Sequence, residues 1–345
     1  MSSARQFLPL AQAQPPFYCG VDLGGTNIKV GVVDDLGRPL SWLTIPTATD
    51  QGPEDAARRM GAAVKEAARQ AGIEAQHLAR VGLGTPGTMD IPAGMLLDPP
   101  NLPGWKMFPI RERVSHHTGL PVTYANDAGA AAYGEFWVGS GRNFHSMVMF
   151  TLGTGIGGGI IIGDFSVDGE HSHGSECGHV VIDYRDEARL CGCGQRGHLE
   201  AYASGLSVVR RTHEALAAGH KSSLAHRIDG GEELTPLMIA QEAEQGDPLA
   251  LEIVLDTGMY LGIGIVTAMH TIDPDGVVLG GAMTFGGHAS PLGRRFLERV
   301  REEVKKRTFP VLAQTTVVDF ASLGGDAGFI GAAGLARLAH RQQVA

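Results

Sequence analysis

The chain has 345 residues, 43% of them hydrophobic and 19% charged, with a formal net charge of -9. That is the balance of a soluble globular protein, long enough for two lobes, and no basic block points to nucleic acid as a partner. No apolar run is read as reaching the ~18 residues of a membrane span, and four cysteines in a chain of cytoplasmic character suggest thiols or metal, not a disulfide framework.

Residues 1–16 hold one arginine, a short apolar stretch broken by Pro9, and AQAQPP; they read as a disordered leader and not as a signal peptide. Phe17 to Asp22, Lys29 to Val33 and Leu40 to Pro46 read as three strands of a meander. Between the first two lies DLGGTNIK, 22–29. Glycines there let the backbone turn sharply and bring N–H groups to phosphate oxygens. Thr26 adds a hydroxyl, Lys29 a charge, and Asp22 a seat for metal-bound water. An ordinary glycine hairpin is the competing reading, and the pattern is not the Walker loop. Glu54 to Ala71 keeps helical spacing and stops at Gly72. A strand from Arg80 to Gly84 ends in TPG. Ile110 to Thr118 reads as a helix closed by Gly119, and Pro121 to Tyr124 as a strand. Asn126 and Asp127 then open a helix, Ala128 to Phe136. Asp127 either caps that helix or serves as the general base for an attacking hydroxyl; local sequence alone favours the cap.

Ser146 to Leu152 and Ile160 to Ile162 read as strands around a second glycine turn, GTGIGGG. The segment after it is strand-like, which argues against a dinucleotide-binding site. A strand–glycine turn–strand unit thus occurs twice, a sign of a duplicated fold. Farther on, His179, Cys191, Cys193 and His198 put four N/S ligands into one short region, a set that suits tetrahedral Zn²⁺; unligated thiols and surface histidines are the alternative. Helices are expected at Ser204 to Ala218, Leu249 to Met269, Pro291 to Arg307 and Ala327 to His340. The glycines of the second of these suggest tight packing on a neighbour. Strands are expected at Gly276 to Leu279, followed by Gly280-Gly281, and at Thr315 to Phe320. The alternation indicates an α/β architecture.

The order and spacing of DLGGTNIK (22–29), GLGTPG (82–87), NLPGW (101–105), NDAGAAAYGE (126–135), LGTGIGGG (152–159), ECGH (176–179), CGCGQRGHLE (191–200) and LGGAM (279–283) resemble the ROK family of sugar kinases and sugar-responsive repressors, from about Tyr18 to about Ala339. The resemblance implies an actin-like ATPase (ribonuclease H-like) fold with two α/β lobes and a central cleft. The small lobe would be 17–125, completed by the C-terminal helix 327–345, and the large lobe 126–326, containing the zinc segment 176–200. It implies Asp127 as catalytic base, with Asn101, Asn126, Asp127, Glu176, His179 and Glu200 on the sugar hydroxyls. ATP with Mg²⁺ would be held by Asp22, Gly24, Gly25, Thr26, Lys29, Gly153, Thr154 and Gly155, with Gly280 and Gly281 against the adenosine. Structural Zn²⁺ would take His179, Cys191, Cys193 and His198. Here His198 stands where the family has a third cysteine, and Ser175 and Gly129 are further departures that remove no chemical group. The implied activity is ATP-dependent phosphorylation of a hexose, glucose first, in a homodimer. N-acetylglucosamine, N-acetylmannosamine, fructose or allose as acceptor, and polyphosphate as donor, stay open. A non-catalytic sugar-sensing regulator is the reading from another class; Asp127, both glycine turns and a first strand at Phe17, too early for a helix-turn-helix, argue against it.

Overall fold

The computed structural model describes residues 7–344. In chain order it contains strands β1 (Phe17–Leu23), β2 (Asn27–Val33) and β3 (Pro39–Pro46), helix α1 (Gly52–Gln70), strand β4 (Leu78–Thr85), a small hairpin β5 (Met89–Asp90) and β6 (Met95–Leu96), and helix α2 (Ile110–Thr118). Strand β7 (Val122–Asn126) runs directly into α3 (Asp127–Trp137), followed by β8 (Ser146–Leu152), β9 (Ile156–Ile162) and β10 (Phe165–Ser166). Helices α4 (Glu200–Ala203), α5 (Gly205–Ala217), α6 (Ser223–Asp229), α7 (Pro236–Glu244) and α8 (Pro248–Ile272) precede β11 (Gly276–Gly281). The chain closes with α9 (Pro291–Arg307), α10 (Pro310–Thr315), β12 (Val317–Phe320) and α11 (Ala327–Val344). These elements form two compact units. Among the described residues, the first takes 7–143, Gly159–Ser175 and 323–344; the second takes Phe144–Gly158 and Glu176–Ser322.

In the first unit the sheet order is β3-β2-β1-β4-β7. The meander β1–β2–β3 is antiparallel, whereas β1–β4 and β4–β7 are parallel. Nearly every residue of β4 is buried, because helices cover both faces of the parallel part. One face is met by α1, which brings Ala57, Met60, Val64 and Ala67 into a core with Val21, Val30 and Leu83. The other face carries α11, with α3 behind it. Here the backbones touch. A Cβ on Gly20 would lie 1.7 Å from the Phe329 carbonyl oxygen, one on Gly82 1.8 Å from that of Ala332, and one on Gly331 1.6 Å from that of Ala130. Part of the glycine content that sequence assigns to turns and ligand contact is therefore a close-packed seam.

The expected boundary at 126 does not match this division. Helix α3 belongs to the first unit because it packs on α11, and Gly159–Ser175 returns there as well, with Gly159 against Ala132. The leader needs a second correction. Residues 1–6 lie outside the described part, but from Phe7 onward the segment is docked and not disordered. Leu8 N–H donates to the Pro39 carbonyl at 2.9 Å, and Asp35 N–H to that of Gln14 at 2.9 Å. The fully buried Asp34 carboxylate accepts from the N–H groups of Gln14 (3.1 Å), Leu36 (3.1 Å) and Arg38 (2.9 Å), and from the Arg38 guanidinium. Burial pushes that carboxyl up, but the Arg38 hydrogen bond and the three N–H groups outweigh it and hold it below the usual range.

The second sheet has the order β10-β9-β8-β11-β12, with β8, β11 and β12 mutually parallel. Strand β9 carries the chain from the second unit into the first. The long helix α8 packs on α9, α7 and α5. Its glycines make the expected contacts: a Cβ on Gly262 would lie 2.8 Å from Glu303 Cβ, and one on Gly264 2.5 Å from Leu199 Cδ2. Contrary to the sequence reading, α8 is long and apolar enough to cross a membrane by length and composition. More than half of its most apolar stretch is nonetheless buried inside its unit, as in a core helix. The sequence reading also missed the β5–β6 hairpin and helices α6, α7 and α10.

Candidate active site

In the first unit the glycine turn joins β1 to β2 as a tight hairpin. Gly24 N–H donates to the Asn27 carbonyl at 3.0 Å, and Asp22 and Lys29 pair across the strands. Gly25 and Thr26 are exposed, so their N–H and hydroxyl groups are accessible. Lys29 Nζ sits 3.7 Å from Asp22 Oδ2 and donates to the Gly325 carbonyl at 2.9 Å. Burial raises the Asp22 carboxyl, with Lys29 opposing it. A Cβ on Gly328, in the first turn of α11, would come within 2.5 Å of Asp22 Oδ2, so this carboxylate lies at the head of a helix.

Asn101 is far from this turn in sequence and beside it in space: a Cβ on Gly25 would lie 3.4 Å from the Asn101 carbonyl oxygen and 3.7 Å from Asn101 Cβ. Gly87 fixes that approach. Its φ of 85° lies in the left-handed region, and a Cβ there would be 2.6 Å from Pro99.

At the head of α3 the capping role falls to Asn126. Its Oδ1 accepts from Ala128 N–H at 2.9 Å and Gly129 N–H at 3.1 Å. Asp127 follows as the first helical residue, half-buried, with Oδ1 sharing the Ala128 N–H at 2.8 Å. The positive end of α3 therefore faces its carboxylate. Beneath it, Tyr124 Oη and Thr85 Oγ1 are 2.9 Å apart; burial pushes the phenol up to about 12, and the nearby Asp127 charge adds to that.

In the second unit Gly153, Thr154 and Gly155 turn β8 into β9, with Gly153 N–H on the Gly155 carbonyl at 3.0 Å. Gly280 and Gly281 end the neighbouring strand β11, in register with Thr151 and Leu152. A Cβ on Gly281 would lie 2.3 Å from the Leu152 carbonyl oxygen, so the two glycine segments adjoin. Two residues that sequence reasoning missed also hold the turn. Gly205 N–H donates to the Gly153 carbonyl at 2.9 Å and Leu206 N–H to that of Thr154 at 3.4 Å. The only sequence signal was Ser204, which caps α5. Of the expected sugar ligands in this unit, Glu176 is exposed and starts the short 3₁₀ turn Cys177–His179, which places His179. Glu200, assigned to sugar, accepts from Ile156 N–H through Oε2 at 2.9 Å.

His179, Cys191, Cys193 and His198 come together, their nearest ligand atoms all within 4.8 Å of one another. The two Nδ1 atoms are 3.2 Å apart, Cys193 Sγ is 3.2 Å from His198 Nδ1, and Cys191 Sγ 3.9 Å from His179 Nδ1. Tetrahedral Zn²⁺ sets its S and N ligands roughly 3.3–3.8 Å apart, so the donor set fits that ion. Two facing Nδ1 atoms need a shared proton or a cation between them. Without a metal, burial pushes the Cys191 thiol above its ordinary value and, with His179, lowers His198.

A model of the ROK family matches residues 18–339. Over 317 residues the chain is 35% identical to a glucokinase of Thermotoga maritima, covering 92% of this chain and 96% of that one. A ROK hexokinase from Thermus thermophilus matches with a TM-score of 0.80 at 33% identity, covering 95% of this chain and 100% of the other. A ROK family glucokinase from Streptomyces griseus, solved with glucose and AMPPNP, matches with a TM-score of 0.75 at 33% identity, covering 94% and 100%. The fold is that of the actin-like ATPases, and the chain belongs to the ROK family.

Proposed function

We propose that the protein is an ATP-dependent glucokinase, moving the γ-phosphoryl group of ATP to the 6-hydroxyl of glucose with Asp127 as base. One observation carries this reading: Asn126 supplies the cap of α3, and the Asp127 carboxylate follows it as the first helical residue, at the positive end of that helix. The relatives support the choice of sugar and donor, since several similar proteins are glucokinases and one similar glucokinase was solved with glucose and AMPPNP.

Asn101, Asn126 and Asp127 in the first unit, and Glu176, His179 and Glu200 in the second, are the groups we assign to sugar hydroxyls. Carboxylates and amides suit adjacent hydroxyl pairs. Asp127 accepts the proton of the attacking hydroxyl as its oxygen bonds to phosphorus, and ADP leaves in line. The N–H groups of Gly24, Gly25, Thr26 and Gly153–Gly155 meet the phosphate oxygens, with Lys29 adding charge; Gly280 and Gly281 lie along the adenosine. Mg²⁺ near Asp22 supplies charge neutralisation when bound. His179, Cys191, Cys193 and His198 would hold Zn²⁺, which when bound would fix the ring of His179 for a contact with a sugar hydroxyl.

The test is Asp127→Ala. We expect kcat to fall by about 10²–10⁴-fold while the melting temperature stays near that of the parent. Activity within a few-fold of the parent would end the assignment. A hexose panel in the same assay decides the acceptor; a higher kcat/KM for an N-acetylhexosamine, fructose or allose replaces glucose. A row of half-exposed apolar residues along α8, Leu251, Leu255, Met259 and Ile263, supports a homodimer, which sedimentation velocity checks.

A further inference from the structure

In the second unit Ile156, at the end of the glycine turn, is gripped from two sides. Its N–H donates to Glu200 Oε2 at 2.9 Å. Its carbonyl oxygen lies where a Cβ on Gly178 would come within 2.0 Å, so only glycine fits there. Both grips adjoin the Cys/His group: Gly178 precedes His179, and Glu200 follows His198 with only Leu199 between. Leu199 is itself fully buried, against Gly264 of α8. The other carboxylate oxygen of Glu200, Oε1, is 3.4 Å from Cys191 Sγ. Gly155 leaves the carboxylate just enough room, since a Cβ on it would sit 2.4 Å from Oε2.

We propose that Glu200 is a positioning residue that links the Cys/His metal group to the Gly153–Ile156 turn, so that loss of the metal loosens the turn and weakens nucleotide binding even with no sugar present. A sugar contact through Oε1 is compatible with this role but does not account for Oε2, which is turned to the Ile156 N–H. The physical route is short. A metal bound by residues 191–198 fixes the entry to α4, whose first residue is Glu200; the carboxylate then fixes a backbone N–H of the turn. A turn held in its binding conformation loses less entropy when phosphate oxygens arrive, and so binds them more tightly. The idea rests on the reading of Gly153–Gly155 as a phosphate loop.

The experiment uses the full chain loaded with Zn²⁺, and the same chain stripped by a chelator, both without sugar. Amide hydrogen exchange is read at Ile156, with the buried amides of β8 as the control for general unfolding, and AMPPNP binding is read by calorimetry. Stripping zinc, or replacing the exposed ligand in Cys193→Ser, should speed exchange at Ile156 and raise the AMPPNP Kd, each by roughly 10-fold or more, with β8 still protected. Glu200→Ala should do the same while keeping its zinc. Glu200→Gln, whose amide oxygen can still accept the Ile156 N–H, should keep both values near those of the parent. Unchanged exchange at Ile156 in the stripped protein or in Glu200→Ala overturns the proposal, as does a chain that takes up no zinc. A zinc-loaded parent that binds no AMPPNP overturns instead the reading of the turn as a nucleotide site; the exchange measurement still decides the coupling.

Discussion

The two glycine turns look alike as sequence and are held in different ways. The turn after β1 is largely closed by its neighbours in the meander: Gly24 bonds to Asn27, and Thr47, just past β3, ties it with N–H to the Thr26 carbonyl at 2.8 Å and Oγ1 to the Gly24 carbonyl at 2.7 Å. The turn after β8 takes its support from far along the chain, from Gly178, Glu200, Gly205 and Leu206. The same local structure, a glycine turn between two strands, is thus held mainly by its own meander in one unit and by a distant segment in the other. In the second, the turn's own backbone groups are bonded to that segment, which gives a direct route for adjusting it.

Paired substitutions break or sharpen that contrast. Gly155→Ala carries the larger expected effect, because its Cβ would meet the Glu200 carboxylate at 2.4 Å. Overpacking of this kind costs about 1–3 kcal/mol, and we expect it to appear as a raised KM for ATP. Gly25→Ala places its Cβ at an ordinary 3.4 Å from Asn101. It should change ATP affinity and stability by less than about 0.5 kcal/mol. Equal losses in the two variants would show that the difference in anchoring has no energetic content. Asp34→Asn probes the far end of the β1–β2 hairpin, and should leave kcat alone while lowering the melting temperature at neutral pH by roughly a few degrees. The folded carboxyl is held low by Arg38 and three N–H groups, so its contribution is complete above the unfolded value of about 4 and fades as pH falls through the folded one. The gap between parent and variant should therefore close in acid; a gap that is the same at pH 3 and pH 7 would contradict this origin.

Much of this was legible in sequence, for reasons that differ by residue. The strand ends at Asp22 and Leu152 were marked by apolar runs that stop at glycines, and the Cys/His group by unusual residue types at short spacing. Asp127 showed the limit of local reasoning. Asn and Asp are both good caps, and only the fold shows that Asn126 takes the role. Gly20, Gly82 and Gly331 could not be read at all, because a glycine that admits a neighbouring backbone has no local mark separating it from one that turns. Gly205 and Leu206 were missed for a related reason: the turn is held by their backbone N–H groups, and any residue but proline has one. The leader misled because AQAQPP has a disordered composition, yet its backbone groups find partners in Asp34 and Pro39.

The seam between α11 and the β1–β4 sheet sets a schedule for making the protein. The helix that seals this sheet is translated after the whole of the second unit, so the growing chain carries an unsealed apolar surface on β1 and β4 until α11 has left the ribosome. Synthesis in the cell must hold the amino-terminal unit half-built while the inserted one folds, and that interval is when chaperones would be most needed.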